Sequence, residues 1–160
     1  MNINNLPKDQ QIEIVRKNPS SIRYIDNPCL DVQLAAVRKD GNMIGWIKDP
    51  SRYIQLEAIR KDGFAIEYIN VPDEEMQLEA VRQNPFVVGW IKDAGIKVQT
   101  EAVRRDPVSI KYIMNPSEDV QFEAVRRSPE AIRFLSNPSE KVQMEAIRND
   151  FHVRRYIENL

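Results

Sequence analysis

Residues 120–140 run VQFEAVRRSPEAIRFLSNPSE, and the same pattern returns along the whole chain. Its glutamine, Gln121, has counterparts at Gln11, Gln33, Gln55, Gln77, Gln99 and Gln143, each 22 residues from the next. Seven copies therefore span nearly all of the 160 residues without an insertion. A fixed period of this length is the signature of a repeat architecture. With the glutamine as position 1, position 6 is always arginine: Arg16, Arg38, Arg60, Arg82, Arg104, Arg126 and Arg148. Position 14 is always aromatic: Tyr24, Trp46, Tyr68, Trp90, Tyr112, Phe134 and Tyr156.

The ten prolines fall into the same register. Four (Pro19, Pro85, Pro107, Pro129) stand at position 9 and five (Pro28, Pro50, Pro72, Pro116, Pro138) at position 18, leaving only Pro7 outside. Position 8 is Asn18, Asp40, Asp62, Asn84, Asp106, Ser128 or Asp150. All are good N-caps, and proline suits the first helical position after a cap. Position 17, with Asn27, Asp49, Asp93, Asn115, Asn137 and Asn159, suggests a second set of caps. Each copy thus predicts a long helix from about position 18 to position 7 of the next copy, and a short one over about positions 9–15.

At about 100° per residue, positions 22, 1, 2, 4 and 5 of the long helix share one face. That face is apolar except for the glutamine at its centre, so the amide is expected to bond backbone groups in the turns. Position 3 is glutamate in every copy but the second, where Ala35 stands. Glu and Arg three residues apart meet on the helix surface and can also form a ladder between copies. The short helix offers apolar residues at positions 11, 12, 14 and 15. One such hairpin cannot bury both apolar faces, whereas stacked neighbours can. The expected fold is all-α: one domain over residues 1–160, a right- or left-handed superhelical α-solenoid of seven 22-residue helix–turn–helix repeats. A leader covers about residues 1–10 and a C-terminal cap about residues 150–160. The departures at Gln10, Ile14, Phe151 and Arg154 are those expected of a complete, capped array.

Units such as QLEAVRQNPFVVGWIKD (residues 77–93) and the stretch quoted above resemble the short helical-hairpin repeats of uncharacterised bacterial, phage and large-virus proteins. They are similar in plan to HEAT-like and leucine-rich-repeat-variant solenoids. The resemblance covers residues 5–160 and bears on architecture. It implies a phage or bacterial source and, as a specific expectation, an inhibitor of a host defence or regulatory protein.

Residues common to every copy build the scaffold, so functional candidates lie where copies disagree. Position 10 turns apolar at Phe64, Phe86 and Val108, and position 13 becomes glycine at Gly45 and Gly89, each before a tryptophan. With Met43 and Met114 these give a candidate partner-binding set: Met43, Trp46, Phe64, Phe86, Trp90, Val108 and Met114. Exposed Trp and Phe mark interaction sites. Trp46 and Trp90 also fit as core rings for which the glycines make room. A protein partner or self-association would bury the set. The second candidate is a phosphate-binding edge of Arg38, Arg60, Arg82, Arg104, Arg105, Arg126 and Arg127, able to follow a nucleic-acid backbone. The parallel glutamate row would largely cancel it.

Other functions are disfavoured. A net charge of −1 argues against binding nucleic acid or anionic membrane by bulk charge. No apolar run approaches the ~18 residues of a membrane span, so no membrane partner is expected. One cysteine, Cys29, and one histidine, His152, give no metal-ligand cluster and no nucleophile–base pair. No enzyme activity, cofactor or metal is expected. The expected location is cytoplasmic, or the host cytoplasm for a viral protein.

Overall fold

The structure, a computed structural model, describes residues 2–157. Every regular element among the described residues is helical. Ten-residue α-helices recur: α1 (Lys8–Lys17), α2 (Leu30–Lys39), α3 (Arg52–Lys61), α4 (Glu74–Gln83), α5 (Ile96–Arg105), α6 (Glu118–Arg127) and α7 (Glu140–Asn149). A one-turn helix, α8 (Arg154–Ile157), follows the last of them. Six-residue 3₁₀ segments lie between them, for example Gly41–Trp46 after α2 and Pro107–Tyr112 after α5. The chain divides into two compact units, one ending at Asn84 and the other beginning at Pro85.

In the first unit α1, α2, α3 and α4 pack in sequence, each against the next. The 3₁₀ segments Pro19–Tyr24, Gly41–Trp46 and Gly63–Tyr68 pack on the flanking α-helices and on their neighbouring 3₁₀ segments, forming a second layer. The second unit repeats the plan with α5, α6 and α7 beside Pro85–Trp90, Pro107–Tyr112 and Pro129–Phe134. Between the layers lies an aliphatic core. From the α-helices come Val32, Ile54 and Met76 in one unit and Val98, Val120 and Val142 in the other. From the 3₁₀ layer come Ile22, Ile44 and Ile66, and Val88, Ile110 and Ile132. Position 4 is a row of fully buried alanines: Ala36, Ala58 and Ala80, then Ala102, Ala124 and Ala146. The backbone of the preceding copy comes close at glycine: a Cβ on Gly41 would stand 2.5 Å from the Ala58 carbonyl oxygen.

Two sequence expectations change in detail. The short helix is 3₁₀ and ends at position 14, where an extended residue follows it. The residue that follows, Ile47 or Ile113 for example, is extended and donates its N–H to the carbonyl three residues back.

Position 17 is not an N-cap. Asn27, Asp49, Asp93 and Asn115 instead hold φ near +50°, the left-handed conformation that Asn and Asp tolerate best among residues with a side chain. They reverse the chain, and Pro28, Pro50 and Pro116, or Ala94 after Asp93, lead on toward the next helix. The true caps stand at position 19: Ser51, Asp73, Ser117 and Ser139 accept from the backbone N–H three residues on. Cys29 and Gly95 occupy the same place without a side-chain cap bond. Asn159 lies outside the described residues. Position 8 does cap the 3₁₀ segments at Asp40, Asp62, Asp106 and Asp150, while Asn18 and Ser128 make no side-chain cap bond.

The glutamine row finds the turn carbonyls. Nε2 of Gln33 donates to the carbonyl of Pro28 at 2.7 Å, Gln55 to Pro50 at 3.1 Å and Gln77 to Pro72 at 3.0 Å. In the second unit Gln99 donates to Ala94 at 2.6 Å, Gln121 to Pro116 at 2.9 Å and Gln143 to Pro138 at 2.8 Å. Gln11 reaches the carbonyls of Ile3 and Leu6 instead, tying the leader to α1.

Gln77→Leu removes the donor and leaves the Pro72 carbonyl unmatched, so it is expected to destabilise by about 1–2 kcal/mol. A urea melt in which the variant is neutral or more stable would disprove the clamp. Gly95→Ser supplies the missing cap, with no atom within 4 Å of the added Cβ. It should raise stability by a few tenths of a kcal/mol up to about 1, as read from the denaturation midpoint.

Candidate functional site

Two surfaces stand out, one on each layer. The 3₁₀ layer exposes the position-14 rings. In the first unit these are Tyr24, Trp46 and Tyr68; in the second Trp90 and Tyr112 are exposed and Phe134 is half-buried. Trp46 and Trp90 each leave 56% of their surface exposed, so they are not core rings. The aliphatic residues at positions 12 and 15 and the small ones at position 11 (Ala65, Val87, Ser109 and Ala131) take the interior, and the ring stays at the layer's edge.

The glycines at position 13 serve the next copy's ring. A Cβ on Gly45 would come within 2.8 Å of the Tyr68 ring, and one on Gly89 within 2.9 Å of the Tyr112 Cβ. Each glycine is therefore a slot for the following tyrosine and not space for its own tryptophan. Where position 13 keeps a cation, the cation covers a ring. The Arg23 guanidinium lies 4.6 Å from the Tyr24 centroid and 5.9 Å from that of Trp46. Lys111 lies 4.6 Å from Tyr112, and Arg133 4.7 Å from Phe134. Cation–π contacts of this kind stabilise by about 0.5–1 kcal/mol at exposed sites.

The other sequence candidates divide. Met114 is 88% exposed, on the turn after Pro107–Tyr112. Phe86 and Val108 are exposed at the margin, and Phe86 meets Tyr112 edge to face at 5.8 Å between centroids. Met43 and Phe64 are half-buried. In the second unit, then, Phe86, Tyr112 and Met114 belong to one aromatic and sulfur-bearing region, and Met114 with Tyr112 lines a cleft of about 470 Å³. Tyr24, Tyr68 and Tyr112 were not among the candidates. Their signal was the aromatic identity at position 14, which an α-helical angle assigns to the interior.

The α-helical layer carries the charges. Each arginine of the expected phosphate edge sits near a carboxylate. Arg38 meets Glu57 at 2.7 Å across the repeat boundary, and Arg60 meets the same Glu57 at 3.3 Å. Arg104, Arg126 and Arg127 converge on Glu123 at 3.1, 2.8 and 3.0 Å. Arg105 lies 3.4 Å from Glu101 and Arg82 3.9 Å from Glu79. The ladder expected between copies is thus present at Arg38–Glu57 and Arg104–Glu123.

Hydrogen bonds and charge from Arg38, opposed by burial, hold the Glu57 carboxyl below its ordinary value, with Arg60 assisting. At Glu123 burial pushes the carboxyl up, but the bonds from Arg127, Arg104 and Arg126 together outweigh it, and the net direction is down.

One apolar surface escaped the sequence reading. The helical angle places position 2 on the buried face, and Leu56 and Leu78 are buried. Met144 is 62% exposed, because no further ten-residue helix follows α7 among the described residues. With Phe122, Lys141 and Ile147 it lines a shallow cleft of about 710 Å³. The Lys141 ammonium lies 5.0 Å from the Phe122 ring. Among the described residues no group of three or more His, Cys, Asp or Glu is placed to hold a metal ion, and no helix is long and apolar enough to cross a membrane.

No family model, curated protein or solved structure matches this chain. Its placement therefore rests on architecture, a helical repeat whose pieces pack in sequence.

Lowered glutamate values have a pH consequence. The unfolded chain takes up protons first as pH falls, so the stabilisation is complete above the ordinary glutamate value of 4.5 and is lost as pH drops through the folded values. Thermal melts between pH 7 and pH 3 should show the midpoint falling below about pH 4.5. Glu123→Gln should begin lower at pH 7 and fall less steeply in that window.

Proposed function

We propose that this chain is a noncatalytic protein-binding scaffold: a superhelical α-solenoid of seven 22-residue copies that presents its 3₁₀ layer to a protein partner. The unbroken 22-residue spacing supports one continuous array. The observation that carries the binding reading is the exposed row of position-14 rings, with cations stacked on several of them. Tyr and Trp combine large contact area with few rotatable bonds, and they dominate the energetics of protein interfaces. Exposed rings repeated every 22 residues are more than the core requires, since the aliphatic rows at positions 12, 15 and 22 already fill it. Binding to phosphate along the arginine edge is the weaker reading, because each of its arginines already has a carboxylate nearby.

The test compares the intact chain with two variants, Trp46→Gln/Tyr68→Gln and Trp90→Gln/Tyr112→Gln. Affinity capture from cell lysate, followed by mass spectrometry, should recover a partner with the intact chain. At least one variant should lose it while keeping its circular-dichroism melt within a few degrees. Retention of the partner by both variants would refute the aromatic face. A partner lost steeply between low and moderate salt, whatever the ring substitutions, would favour the arginine edge.

A further inference from the structure

The ladder has one gap, and the gap is a cleft. Position 3 is glutamate in six copies and alanine only at Ala35. At Glu123 the carboxylate gathers position 6 of the preceding copy (Arg104) and positions 6 and 7 of its own copy (Arg126 and Arg127). The corresponding three cations around Ala35 are Arg16, Arg38 and Lys39. All three line a cleft of about 490 Å³ between α1 and α2, with Ala35 also in its lining and Ile12 and Leu34 as apolar walls.

The carboxylates nearby are committed elsewhere. Glu13, which could have taken Arg16 three residues on, bonds Lys17 at 2.7 Å. Asp31 lines the cleft but is paired with Lys8. Arg38 turns toward Glu57 and the Tyr53 hydroxyl. The Arg16 and Lys39 side chains have no hydrogen bond or ion pair among the described residues. Two uncompensated cations, beside a third that is only partly engaged, make a concave site of positive potential.

We propose that this α1/α2 cleft is a carboxylate-binding site, and that its ligand is an acidic side chain of a partner peptide occupying the place of the missing ladder glutamate. The cleft has the donors the ladder uses elsewhere, in the same register. Arginine matches a carboxylate through paired N–H groups, and such charge-assisted bonds are the strong ones. The apolar walls, Ile12 and Leu34, can accommodate the methylenes of a glutamate. The site lies on the α-helical layer, so it is independent of the aromatic face on the 3₁₀ layer.

The probe is a fluorescein-labelled Ala-Ala-Glu-Glu-Ala-Ala peptide, followed by anisotropy at low salt, with the intact chain and two variants. Ala35→Glu restores the residue found in the other six copies, so it should fold, melt higher than the parent and weaken peptide binding at least tenfold. Arg16→Gln should leave the melt within a few degrees and weaken binding at least fivefold. Acetate should compete with the peptide for the intact chain. Unchanged binding in both variants, or an Ala35→Glu melt lower than the parent, would overturn the proposal. Inorganic phosphate competing more than tenfold better than acetate would overturn the assignment to carboxylate.

Discussion

A single side-chain hydrogen bond organises each copy. The glutamine at the centre of each long helix donates from Nε2 to the carbonyl of the residue five places earlier, which is proline at Pro28, Pro50, Pro72, Pro116 and Pro138. That carbonyl belongs to the extended lead before the helix and has no partner in the helical ladder. Left buried and unbonded, it would cost about 1–3 kcal/mol in each copy. The donor comes from a side chain, and glutamine is long enough to reach back. The bond fixes where the lead meets the helix, and with it the direction from which the 3₁₀ segment arrives. At Asn27, Asp49 and Asn115, one residue before the proline, the left-handed conformation then completes the reversal.

Once that geometry is set, small residues decide the spacing. The alanine row is fully buried, and Gly41 and Gly63 let their backbone approach the Ala58 and Ala80 carbonyls of the following copy. Gly45 and Gly89 act differently, as slots for Tyr68 and Tyr112. The same physical demand, close approach without a Cβ, serves core packing at position 9 and surface aromatic packing at position 13. The two units share this construction, which is why each has its own aliphatic core.

Charges on the α-helical layer are sorted and not merely balanced. A net charge of −1 conceals rows of arginine and glutamate that neutralise one another in place. Neutralisation is local, so a single substitution is felt. Glu123 holds three arginines, whereas Ala35, at the same position, leaves Arg16 and Lys39 without ion pairs. The sequence shows the Ala35 exception plainly. That it opens onto a cleft, and that Glu13 turns to Lys17 and not to Arg16, are matters of side-chain geometry.

Periodicity alone determined the helical class, the 22-residue unit, the aliphatic rows and the glutamine's bond to the turn, because each depends on local propensity or on identity repeated at fixed spacing; the glutamines themselves are half-buried. It also anticipated Glu–Arg pairing, since neighbours on a helix surface follow from the helical angle. Other features were settled only by the tertiary structure. The caps moved from position 17 to position 19, because a residue's φ depends on how the chain must turn to reach the next helix. The aromatic row lies at the surface, because the residues at positions 11, 12 and 15 fill the interior when neighbouring copies pack. Partner-candidate residues were split between exposed (Trp46, Trp90, Met114) and half-buried (Met43, Phe64) by which neighbour each side chain meets. Sequence fixes spacing along the chain; exposure is a property of contacts between copies, and those exist only once the copies have packed.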